Sequence, residues 1–145
     1  MDELIDRLNR VLADSYQFSL KSHFYHWNVT GPDFPQYHDF FGNIYAEVHG
    51  SIDQTAEYIR TIDGVPHNSP SMVRQNSDIK ETSVVKPALE MIDDLVSDTA
   101  IAVNNLMDAM EMADKFNEVG ISNYLQERHA AYKKHAWMLK SILKS

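Results

Sequence analysis

Apolar residues return every three or four positions along most of the chain, the rhythm of helices that bury one face. Over residues 1–27 the rhythm runs through Met1, Leu4, Leu8, Val11, Phe18 and Tyr25, with Ser15 and Ser22 filling the heptad positions between them. It predicts one long amphipathic helix, stopped by Asn28, Gly31 and Pro32, a cluster that breaks helices and makes a tight connection. A second helix is predicted over 36–62, opening after Pro35 and closing at Asp63-Gly64, where the glycine is expected to take the left-handed cap conformation. Residues 65–86 are rich in Pro, Ser and Asn, too long a stretch to join neighbouring helices of a bundle directly. A crossover is therefore expected, with Asn68-Ser69-Pro70 opening a short helix over 71–75. A third long helix should fill 87–115, with Ile92, Leu95, Thr99, Ala102, Val103, Leu106, Met110 and Ala113 facing inward. The last should fill 122–143, on the stripe Tyr124, Leu125, Ala131, Tyr132, His135, Met138, Leu139 and Ile142. Four long amphipathic helices without a strand signal or an internal repeat make an all-α four-helix bundle, a single domain over 1–145.

The second helix carries more than packing. His38, His49, Asp53 and Glu57 recur at spacings of 11, 4 and 4, so imidazoles and carboxylates share about a third of its circumference. His38 and Asp53 would be about 22 Å apart along the helical rise, too far to meet on one ion. A second copy of the helix, crossing antiparallel about a two-fold axis, solves this. Residues that meet then have position numbers summing to 95, which sets His38 opposite Glu57 and position 42 opposite Asp53. One isologous interface makes two equivalent sites. Imidazole with carboxylate and no thiolate suits iron, manganese or zinc.

The run His26-Trp27-Asn28-Val29, Gly31, Phe34, His38, then Tyr45, then Asp53, Ala56 and Glu57 resembles the signature of the Dps family, the ferritin-like DNA-binding proteins of starved cells. The resemblance implies a ferritin-like bundle and a dodecameric homo-oligomer. It implies a ferroxidase that oxidises Fe(II), with hydrogen peroxide or O2, stores ferric mineral and limits oxidative damage. On that pattern His26 and His38 come from one subunit and Asp53 and Glu57 from its two-fold mate, holding iron, with zinc as a further occupant. Trp27 then resembles the family's aromatic beside the iron site, with packing as its other reading, and packing is the expected role of Tyr45. One position departs: four residues after His38 the family carries a carboxylate, and here stands Gly42. His49, one turn before Asp53, is the candidate replacement ligand. If none replaces it, a metal-sequestering or DNA-packing shell with little turnover is the alternative. His23 is expected to cover the edge of the site, while His67, His129 and His135 lack a carboxylate at ligand spacing and are read as structural.

Charge changes the choice of partner. The chain carries a formal net charge of −8, which repels phosphate, and its basic residues at Lys133, Lys134, Lys140 and Lys144 read as a solvated helix face. DNA binding is therefore not expected, the more so because no basic tail precedes the first helix. The N-terminus begins with acids and no apolar run approaches membrane-spanning length, so a cytoplasmic protein without membrane association is expected. Cysteine is absent, which removes disulfides and thiolate ligands.

Overall fold

A computed structural model describes residues 1–144. Its helices are α1 (Asp2–Asn28), α2 (Phe34–Gly50), α3 (Ile52–Thr61), α4 (Pro70–Asn76), α5 (Ala88–Lys115) and α6 (Val119–Leu143). Two hairpins, α1 with α2–α3 and α5 with α6, pack together through α1 and α5, and α4 rides on α1 within the crossover. Of the predicted stripes, Leu4, Leu8, Phe18, Tyr25, Ile92, Leu95, Leu106, Leu125, Tyr132 and Leu139 are buried, and Phe41, Val48 and Ile59 of α2 and α3 complete the core. Ser15 and Ser22 hold their heptad places by donating their hydroxyls to the carbonyls of Val11 and Phe18 one turn back. Met1 and Met138, expected on the apolar stripes, lie exposed instead, as does Met107. Met138 borders a groove between α2 and α6 lined by Phe40, Ile44 and Ala131.

The second predicted helix is divided. At Ser51 the backbone ladder slips, the amide donating to Val48 rather than one residue further back, and the Ser51 hydroxyl caps the same carbonyl at 2.6 Å. Tyr124 of α6 donates its hydroxyl to the Ser51 carbonyl at 2.9 Å. A Gly-Ser pair is a common place for such a break. The last helix begins three residues before the expected Ser122, at Val119.

Both α3 and α5 end in the left-handed turn that satisfies orphan carbonyls, but without glycine in the left-handed place. Asp63 (φ 63°) and Asn117 (φ 58°) adopt it, and Gly64 and Glu118 then donate back to Ile59 and Ala113. Gly64 serves packing instead: a Cβ there would stand 2.8 Å from Ile59 and 2.9 Å from Ile5.

The crossover is tied down by polar residues on the first helix. Asp14 accepts from Ser77 and Asn105 at 2.7 Å each, Asn9 pairs with the backbone of Val65 and His67, and Gln17 donates to Ile79. Burial pushes the Asp14 carboxyl up, and these hydrogen bonds offset only part of that shift.

Candidate metal centre

The short link between α1 and α2 brings His26, in the last turn of one helix, against His38, near the start of the next. Their rings stack at 3.9 Å and 14°. Each Nδ1 bonds the other residue's backbone carbonyl, His38 to His26 at 2.7 Å and His26 to His38 at 2.5 Å. A carbonyl only accepts, so each Nδ1 carries a proton, and Nε2 is the nitrogen of each ring left for a metal. This is the outer hydrogen bond that fixes a ligating histidine's tautomer and orientation. The carbonyl of His26 lies at the end of α1, where helical partners run out, so the same bond caps the helix.

Gly42 explains how the His26 ring fits. A Cβ at this position would lie 2.9 Å from both Cε1 and Nδ1 of His26. The imidazole thus lies directly against the helix backbone, in the space a side chain at 42 would need. Within one chain the His49 ring stacks on Tyr45 at 5.3 Å. Tyr45 carries His23 at 3.8 Å, and Trp27 covers His23 at 3.9 Å. Trp27 is 62 % exposed, so it is no core aromatic. Burial, then the neighbouring His26 and His49, push the His23 imidazole below its ordinary pKa.

Asp53 and Glu57 lie beyond the break at Ser51, exposed on α3, where they line a shallow groove of about 400 Å³ with Gly50, Gln54, Tyr58 and Thr61. The single predicted stripe is thus split between two helices. Within one chain the histidine pair and the acids stay apart, and among the described residues no three His, Asp or Glu side chains converge as a metal site. The chain presents a pair of imidazoles where α1 meets α2 and, apart from them, a pair of carboxylates on α3.

Two ion networks that brace the site are not evident from local spacing alone. Glu47 of α2 accepts from Arg128 at 2.5 and 3.1 Å and from His135 at 2.8 Å. Burial pushes the Glu47 carboxyl up, but the hydrogen bonds from His135 and Arg128 outweigh it and leave the group at about 2. Arg128 and His135 are seven apart on α6, two turns on one face, and this was the available signal. Lys21, buried, bridges Asp94 at 2.9 Å and Asp98 at 2.7 Å. Tyr25 donates to Asp94 at 2.5 Å, so the turn of α1 that carries His26 is anchored to α5.

Comparison with known proteins shows what the whole chain is similar to. The ferritin-like domain family matches residues 5–145. The DNA protection during starvation protein of Brevibacillus brevis is 34% identical, across 94% of this chain and 91% of that one. The crystal structure of a Dps protein from Bacillus brevis is 33% identical with a TM-score of 0.93, covering 97% of this chain and 95% of that chain. The Dps protein of Vibrio cholerae O1, described as a member of a broad superfamily of ferritin-like diiron-carboxylate proteins, is 29% identical with a TM-score of 0.94. That alignment covers 99% of this chain and 90% of that one.

Proposed function

This chain belongs to the ferritin-like domain family and, within it, to the Dps proteins, and on that premise we propose that it oxidises Fe(II) at sites shared between two subunits and stores the ferric product in a closed homo-oligomeric shell. The family is one of iron storage and protection, and the diiron-carboxylate description of the Vibrio cholerae relative supports iron as the cargo. Twelve subunits, a cytoplasmic location and hydrogen peroxide or O2 as the electron acceptor complete the reading.

The observation that carries it is the crossed pair of bonds between His26 and His38, which stacks the two imidazoles with both Nδ1 atoms turned to backbone carbonyls and so leaves Nε2 of each for a metal. The matching acids, Asp53 and Glu57, stay exposed on α3. The donors suit iron chemically: neutral imidazoles and carboxylates, no thiolate, and positions left for reaction. His26 and His38 would hold Fe(II) from one side, Asp53 and Glu57 of a second copy from the other. Zinc fits the same donors and, lacking redox chemistry, would occupy the site without turnover. Removing iron and peroxide together protects DNA without touching it, which agrees with the acidic surface. His49, as a further ligand, belongs to this reading only if its removal weakens binding.

Complementation tests the shared site. Subunits with His26→Ala and His38→Ala, co-assembled with subunits carrying Asp53→Asn and Glu57→Gln, should regain about a quarter of wild-type sites in random two-fold pairs. Peroxide-dependent Fe(II) oxidation, absent from each parent, should return in that proportion. No recovery in properly assembled mixtures overturns the shared site. A second reading, a shell that sequesters metal with little turnover, is favoured by Gly42 alone. It predicts retained metal without ferric product in the wild-type assay.

A further inference from the structure

We infer that each shared site holds one divalent cation rather than a pair, because the His26 ring occupies the place from which residue 42 would supply a further ligand. The inference rests on the shared site proposed above. Ferritin-like di-metal centres commonly surround their two ions with four carboxylates and two histidines. The donors here are fewer: Nε2 of His26 and of His38, and the Asp53 and Glu57 carboxylates of the second copy.

A missing carboxylate cannot be supplied from position 42. A Cβ there meets the His26 ring at 2.9 Å, so an acid would displace one ligand to add another. The two neighbouring histidines belong to the adjoining stack around Tyr45. The His23 ring lies between Trp27 and Tyr45, at 3.9 and 3.8 Å, and the His49 ring stacks on Tyr45 at 5.3 Å. Nearby Asp39 is exposed, and no third His, Asp or Glu converges on the histidine pair among the described residues.

Charge reaches the same count. One divalent cation against two carboxylates is neutral, and the four donors suffice to hold one ion with positions left for reaction. A second divalent cation would leave two positive charges uncompensated in a buried interface, which is strongly unfavourable. His49 stands outside the ligand set in this arrangement.

Titration of the assembled protein with Fe(II) under anaerobic conditions, and separately with zinc, followed by calorimetry, reads the count directly. The difference between wild type and His38→Ala should be one ion per subunit, and Asp53→Asn gives the same readout should His38→Ala fail to assemble. His49→Ala should bind as many ions as wild type. A zinc-loaded crystal should show one anomalous peak at each site, with no second peak within about 4 Å, the separation of two-metal centres. A difference of two ions, paired peaks, or an ion lost with His49→Ala overturns the single-ion inference and leaves the shared site standing. Equal binding by wild type, His38→Ala and Asp53→Asn overturns the shared site itself.

Discussion

At the scale of single residues, the two glycines that matter here do so through the absence of a Cβ rather than through unusual backbone angles. Replacing Gly42 by Ala places a methyl 2.9 Å from the His26 ring, which must tilt and lose its bond to the His38 carbonyl. The same change restores helix propensity worth about 1 kcal/mol. Metal affinity should therefore fall at least about tenfold, the 1.4 kcal/mol of one lost fixing contact, while thermal stability stays near wild type. Calorimetric titration with zinc and a melt of the same sample check the two halves. At Gly64 nothing compensates: a methyl against Ile59 and Ile5 should cost about 1–3 kcal/mol as overpacking does, read from denaturant unfolding at fixed protein concentration.

At the scale of elements, polar contacts decide how the helices and the crossover are held. Asp14→Ala leaves Ser77 and Asn105 with one partner fewer in a buried setting, and about 1–3 kcal/mol should be lost, as for an unsatisfied buried group. The crossover should then exchange its amide hydrogens faster than the bundle does. Between α2 and α6 the link is Glu47 with Arg128 and His135. The folded Glu47 carboxyl sits at about 2, below its ordinary 4.5. Its contribution is thus fully present above about pH 4.5 and is lost as pH falls towards 2. The carboxylate is 39% exposed, so solvent screens it and the effect is modest. Melts of Glu47→Gln between pH 2 and 5 should show a flatter acid dependence than wild type. A parallel loss in both proteins would show that other carboxylates control the acid transition.

At the scale of the whole molecule, charge and site geometry govern partners. A net charge of −8 per chain, multiplied by assembly, opposes the counterion release that drives duplex binding. No retardation of duplex DNA is expected at physiological salt, and salt-sensitive retardation in a gel-shift assay would show a basic face that the chain's overall charge conceals. Because the proposed site takes donors from two subunits, the particle and the metal site should appear together. Light scattering after size exclusion should give twelve subunits, and metal should elute with that particle rather than with a monomer.

The sequence by itself determined the helices, because burial of one face imposes a three-to-four spacing that survives any arrangement of neighbours. It also determined the crossover, through the Pro, Ser and Asn content of 65–86 and the cap at Ser69, which accepts from Met72 as its position predicts. It singled out His26 and His38 by resemblance, and His38 by spacing. Only tertiary structure decided the rest. At the break the Gly50-Ser51 pair is a local signal, but the Tyr124 hydroxyl that bonds the Ser51 carbonyl from 73 residues away is carried by no local pattern. Asn9, Asp14 and Gln17 look like a solvated face until the crossover covers them. Gly42 looked like a lost ligand because a resemblance compares residue types position by position. What the position does became visible only when α1 laid the His26 ring across it, since two helices must meet before the space between them has an occupant.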